Sequence, residues 1–237
     1  MEFKAIIYEY DKNVAWITLN RPDVLNSLNE GMKSELKVAF ERANEDDSVY
    51  VIVLTGVGDR AFSAGGDVGE FVQLSPLDFE KVNRGRRARF EPVRECIKPV
   101  IAMVNGFALG GGCELAMSCD IIVAAEEARF GLPEINVGLI PGAAGTQLLP
   151  RVAGEKKAKE LIFTVDFIFA QEALRLGLVN RVVPRQRLRE AVEEIVGKIK
   201  KKSPAILKFA KLSINQSLET PLSVGLGWET DLCAMCF

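Results

Sequence analysis

Two carboxylates and two runs of small residues carry most of the chemistry available to this sequence. Glu114 stands in an apolar, helix-like stretch, CELAMSC, behind Gly110, Gly111 and Gly112. Glu134 ends Leu132-Pro133-Glu134, and Ala64-Gly65-Gly66-Asp67 forms a second small-residue loop. A backbone without side chains at a helix start presents unpaired N–H groups to whatever approaches. Two such loops can bring two N–H groups onto one oxygen, the minimum apparatus of an oxyanion hole. A carboxylate among apolar neighbours has its pKa raised, which suits proton transfer near neutral pH. A purely structural role is the competing possibility. Glycines before a helix are common turn residues, and a single Glu in an apolar helix is often simply paired or exposed.

Other glycine-loop chemistries fit less well. A dinucleotide fold places an acidic residue at the end of the strand after its glycines. Here Asp120 stands before the next apolar run, IIVAA, and Ala124-Ala125 closes that run. A phosphate loop needs Gly-Lys-Ser/Thr, and none follows. The chain has no histidine, which excludes Ser-His-Asp and Cys-His catalysis and the usual histidine-ligated metal sites. Acid–base work falls to carboxylates, Lys, Tyr or Cys.

The elements that must position these groups read as a repeated strand–strand–helix pattern. The 237 residues, 48% apolar and 26% charged, suit one large domain or a core with a small appendage. Residues 50–54 and 100–104 are uninterrupted apolar strands, and each leads to a glycine-rich helix start. Met32, Leu36, Ala39, Phe40 and Ala43 share one face of a helix, for which Ser27-x-x-Glu30 is a candidate capping box. Asp67 is a candidate N-cap. The stretch 138–146 is a third glycine-rich helix entry. Residues 76–95 read as a basic helical connection, with Arg84, Arg86, Arg87 and Arg89 inside it. Helices are expected over 188–202 and 204–218, with a last segment from Pro221. Five cysteines, an odd number in apolar or terminal segments, point to a reducing, cytoplasmic compartment. No apolar run is long enough to span a membrane. A net charge of −2 gives no global attraction to nucleic acid.

Five segments, in this order and at these separations, carry a resemblance: NRPDVLNSLN, AFSAGGD, NGFALGGGCELAMSCD, FGLPEINVGLIPGAAGTQLLPR and QEALRLGLVNRVVP. Together they are similar to the crotonase (enoyl-CoA hydratase/isomerase) superfamily, over nearly the whole chain, and most closely to bacterial-type enoyl-CoA hydratases. The resemblance implies an α/β fold: a crotonase-like spiral of repeated ββα units over 1–195, then a C-terminal α-helical trimerisation region over 196–237. It implies a lyase of fatty acid and lipid metabolism acting on acyl-CoA thioesters. It implies no separate cofactor and no metal, coenzyme A being part of the substrate. A homotrimer or dimer of trimers is expected, with neither nucleic acid nor membrane as partner.

The resemblance places the oxyanion donors on the N–H groups of Gly66 and Gly111. It makes Glu114 the residue that orients and deprotonates water, and Glu134 the proton donor to the α-carbon. Ala64, Gly65, Asp67 and Val68 line the substrate path, and the Gly142 N–H lies near the water site. Retention of both glutamates favours hydration of a trans-2-enoyl thioester over double-bond isomerisation, for which the acid at Glu134 suffices. The remaining alternative is a non-catalytic member binding RNA or a partner through 81–98. The sequence departs from the family pattern at Gly69, where many hydratases carry Lys, and at Asp23, often basic. Val165 stands where a glycine is usual. Relatives continue past Phe237 through another helix, so a truncated C-terminal region is expected.

Overall fold

The computed structural model describes residues 3–71 and 90–237. The basic run Arg84–Arg89 therefore lies outside the described residues, as does the side chain of Val68. Among the described residues, ten strands are set in two sheets. The larger has six strands in the order β1 (Ile6–Asp11), β2 (Val14–Leu19), β3 (Val51–Gly56), β5 (Val100–Val104), β7 (Ile121–Ala125) and β10 (Arg181–Val183). In it β1 and β2 pair antiparallel, and the other pairs are parallel. The smaller sheet orders β4 (Ala61–Ser63), β6 (Phe107–Leu109), β8 (Arg129–Gly131) and β9 (Ile168–Phe169).

The period of two along each strand sorts its side chains between two cores. Val14 and Trp16 of β2, with Val51 and Val53 of β3, join one apolar cluster. Ala15, Ile17 and Leu19, with Ile52 and Leu54, join the other. Burial on both faces explains why VIVLTG carries no charge: all six residues of β3 are buried. Helix α8 (Leu188–Ile199) covers the first face with Leu188, Ala191, Val192 and Val196. It runs across residues 195 and 196, where the core was expected to end, and stops three residues short of 202. The second face holds the main core, with α1 (Glu30–Glu45) burying Met32, Leu36, Ala39, Phe40 and Ala43 as its spacing predicts. Asn29 caps α1, its Oδ1 accepting from the Met32 N–H at 2.9 Å. The cap is therefore Asn29 and not Ser27, whose carbonyl and hydroxyl instead accept hydrogen bonds from Arg21.

Successive repeats each place one strand in each sheet. β3, β5 and β7 neighbour one another in the large sheet, while β4, β6 and β8 pair in parallel in the small one. Parallel pairing puts the ends of β4, β6 and β8 side by side. The chain leaves them through Ala64–Gly66, through Gly110, and through Leu132 into a 3-10 turn, Pro133–Val137. This adjacency is what gathers distant motifs at one place.

Short helices α2 (Val68–Phe71) and α3 (Glu91–Arg94) are followed by α4 (Gly111–Met117), α5 (Gly145–Ala153), α6 (Glu155–Thr164) and α7 (Ala170–Arg175). The C-terminal helices α9 (Pro204–Gln216) and α10 (Leu222–Ala234) bury little in this chain: none of α9 and only Leu232 of α10. Lys211 anchors α9 to the core, its Nζ donating to Asp120 Oδ2 at 2.7 Å and to the Lys98 carbonyl at 3.0 Å.

Candidate active site

Gly111 opens α4, where the first N–H groups have no partner within the helix. Gly66 pairs with Leu28 in a parallel bridge. In that bridge the Leu28 N–H donates to the Gly65 carbonyl at 2.8 Å, and the Leu28 carbonyl accepts from the Asp67 N–H at 3.3 Å. The Gly66 N–H therefore points away from Leu28, toward α4. A Cβ built on Gly111 would lie 3.5 Å from the Gly66 nitrogen, and one on Gly65 would lie 3.1 Å from the Gly111 nitrogen. The two loops therefore bring the Gly66 and Gly111 nitrogens close to one another. Such close approach needs glycine at Gly65: its φ is +97°, and a Cβ there would meet the Leu109 carbonyl oxygen at 2.7 Å.

Glu114 follows Gly111 by three residues, so the two share a face of α4. It is 2% exposed. Its Oε1 accepts from the Ala143 and Gly145 N–H groups, both at 2.7 Å. These donors stand at the entry to α5, where Ala144 adopts a left-handed φ of 93°. That turn aims two N–H groups at one oxygen, in the manner of an anion-binding nest. Ala143 and Gly145 are the donors that sequence reasoning missed. It placed the Gly142 N–H near the water site; Gly142 is exposed and lines a cavity of about 340 Å³ together with Ser118, Ala143 and Ala144.

Glu134 lies at the end of β8 in the 3-10 turn and is half-buried. Its Oε1 packs against the Gly110 backbone, 3.2 Å from where a Cβ would stand. Its Oε2 is buried with no hydrogen-bond partner among the described residues. Such an atom is costly to leave unpaired and suits an incoming polar group. Burial pushes the Glu134 carboxyl up to about 7, and the nearby charge of Glu114 adds to the rise. Two carboxylates and the two glycine-rich loops thus lie together around the start of α4.

The remaining expected residues divide. Gly65 belongs to the site as the residue that lets Gly66 approach. The Ala64 N–H is already taken by the Leu25 carbonyl at 2.9 Å. Asp67 Oδ2 accepts from both terminal nitrogens of Arg21 at 3.2 Å.

Relatives of this chain share its full length. A family model described as enoyl-CoA hydratase/isomerase matches residues 9–237. The short-chain-enoyl-CoA hydratase of Clostridium acetobutylicum is 41% identical, over 100% of this chain and 91% of the relative. The crotonyl-CoA hydratase of Syntrophomonas wolfei is 40% identical with the same coverage. The solved structure of an enoyl-CoA hydratase subunit from Geobacillus kaustophilus superposes with a TM-score of 0.96 at 40% identity, covering 100% of this chain and 91% of that one. With glycine loops, paired glutamates and ββα repeats in one frame, the chain belongs to the enoyl-CoA hydratase/isomerase family.

Proposed function

We propose that this protein is an enoyl-CoA hydratase, adding water syn across the double bond of trans-2-enoyl-CoA thioesters to give 3-hydroxyacyl-CoA. One observation carries the reading: two carboxylates, one of them raised to about 7, lie beside the neighbouring backbone nitrogens of Gly66 and Gly111. The thioester oxygen sits on the Gly66 and Gly111 N–H groups. Water attacks the β-carbon, the C=C π electrons move to the α-carbon and the thioester, and the oxygen takes on enolate charge. In other enzymes each such donor is worth about 3 kcal/mol. Glu114, its orientation held by Ala143 and Gly145, takes the proton from water. Glu134 gives its proton to the α-carbon. Both act from one side of the bound chain, so hydroxyl and hydrogen add to the same face.

A pair in complementary protonation states supports hydration over isomerisation, which asks for one mobile proton. Coenzyme A enters as part of the substrate, and the reaction asks for no further cofactor or metal. We place the enzyme in the cytoplasm as a homotrimer or dimer of trimers. Support for assembly comes from apolar side chains left exposed on α9 and α10, among them Ile214, Leu222 and Trp228. No helix among the described residues is long and apolar enough to cross a membrane. Hydration is tested by loss of the conjugated-enone absorbance of crotonyl-CoA on adding the folded protein; no loss would overturn the proposal.

A further inference from the structure

Arg21 reaches across the loop that carries the Gly66 N–H. Its guanidinium donates to Asp67 Oδ2 through both terminal nitrogens at 3.2 Å. The same Nη1 donates to the Ser27 carbonyl at 2.8 Å and to Ser27 Oγ at 3.1 Å. Ser27 precedes Leu28 and Asp67 follows Gly66, so one planar group clasps both strands of the Leu28–Gly66 bridge. Arg21 is itself fixed. Its backbone N–H donates to Asn26 Oδ1 at 3.0 Å, and Asn26 Nδ2 donates to the Val57 and Ala61 carbonyls at 3.1 and 2.9 Å. Asn26 is 1% exposed. Leu25 and Asn26 hold left-handed φ values of 53° and 55°, a conformation that persists only where surrounding contacts enforce it.

From this geometry we infer that Arg21 is a positioning residue of the oxyanion site, fixing the Gly66 N–H through Ser27 and Asp67 and neutralising the Asp67 carboxylate beside it. The inference rests on the hydration reading above. Oxyanion donors act by being aimed before charge develops, and a misplacement of about 1 Å can cost on the order of 10²-fold in rate. An unpaired carboxylate one residue from the donor would also oppose the enolate charge. Lysine cannot substitute fully, because the clasp uses a planar fork with several fixed donors. Asp67, expected to line the substrate path, is thus a partner in the clasp.

The test uses wild type, Arg21→Met, Arg21→Lys, Asp67→Ala and the Arg21→Met/Asp67→Ala double variant, with two readouts. The first is kcat and KM for crotonyl-CoA. The second is the absorbance of a bound aryl-enoyl-CoA, whose band moves to longer wavelength as donors polarise its carbonyl. It is read in a Glu114→Gln background to prevent turnover. Arg21→Met is expected to lower kcat by roughly 10- to 100-fold with a far smaller change in KM, and to shrink the red shift. Arg21→Lys should restore only part of both. Asp67→Ala should resemble Arg21→Met, and the double variant should lose no more than the worse single, as coupled residues do. Wild-type kcat and red shift in the single variants would overturn the inference, and so would losses that multiply in the double variant. Should Arg21→Met not fold, Arg21→Lys and Asp67→Ala carry the same comparison. A wild type that neither hydrates crotonyl-CoA nor shifts the probe would overturn the hydration reading instead.

Discussion

Burial raises the Glu134 carboxyl to about 7, with the charge of Glu114 adding to the rise. A donor to the α-carbon must begin protonated, and a group with this pKa keeps its proton below pH 7 and loses it above. The sign follows directly: kcat/KM for crotonyl-CoA should fall as pH rises through about 7, approaching a tenfold loss per pH unit. The apparent value belongs to the coupled pair rather than to one residue. A profile flat from pH 6 to pH 9 would contradict the assignment of Glu134 as acid. Both glutamates and both glycine loops were legible in the sequence by residue type and spacing, whereas the choice of Gly66 and Gly111 as donors came from the family resemblance. The Ala143 and Gly145 N–H groups were not legible, since backbone donors carry no residue signature. Nor was the Arg21 clasp, whose partner Asp67 lies 46 positions away in sequence and is chosen by the fold.

At the scale of elements, the apolar runs at β3 and β5 announced buried strands, and the glycines marked where each repeat turns into helix. Helix ends were less legible. Ser27-x-x-Glu30 satisfies a capping pattern, yet Asn29 performs the capping because the Ser27 carbonyl and hydroxyl are drawn to Arg21. Val165 shows a departure with a physical cost. It ends α6 at a left-handed φ of 62°, a position that favours glycine and penalises a β-branched side chain. Val165→Gly should therefore stabilise the fold by about 1 kcal/mol, the strain relieved exceeding the entropy that glycine adds to the unfolded chain. For a chain of this length that is a rise in Tm of about 2–4 °C by calorimetry. A lowered Tm would show that the Val165 side chain contributes more through packing than it costs in strain.

The whole molecule is a core of two sheets followed by a helical region with unfinished burial. Leu222 is 79% exposed, Ile214 66% and Trp228 49%, on helices of which α9 is anchored to the core through Lys211 and Asp120. These exposed apolar side chains are the support for the proposed assembly. Light scattering should return a mass three or six times the 26.0 kDa of one chain, and Leu222→Glu with Trp228→Glu should shift it toward one chain. A monomeric wild type would contradict the assembly. The repeated ββα order could be followed along the sequence because each repeat is local. The meeting of three loop ends could not, because it arises from parallel pairing of β4, β6 and β8 across the repeats.

The central claim is that Glu114 and Glu134 together hydrate an enoyl thioester on the Gly66 and Gly111 donors. Its most direct test follows crotonyl-CoA absorbance with wild type, Glu114→Gln and Glu134→Gln side by side, each confirmed folded and able to bind a CoA ester. Rapid hydration by wild type, reduced by at least about 10²-fold in each variant, is the expected result. Hydration that survives either substitution, or a folded wild type that binds the thioester and adds no water, would contradict it.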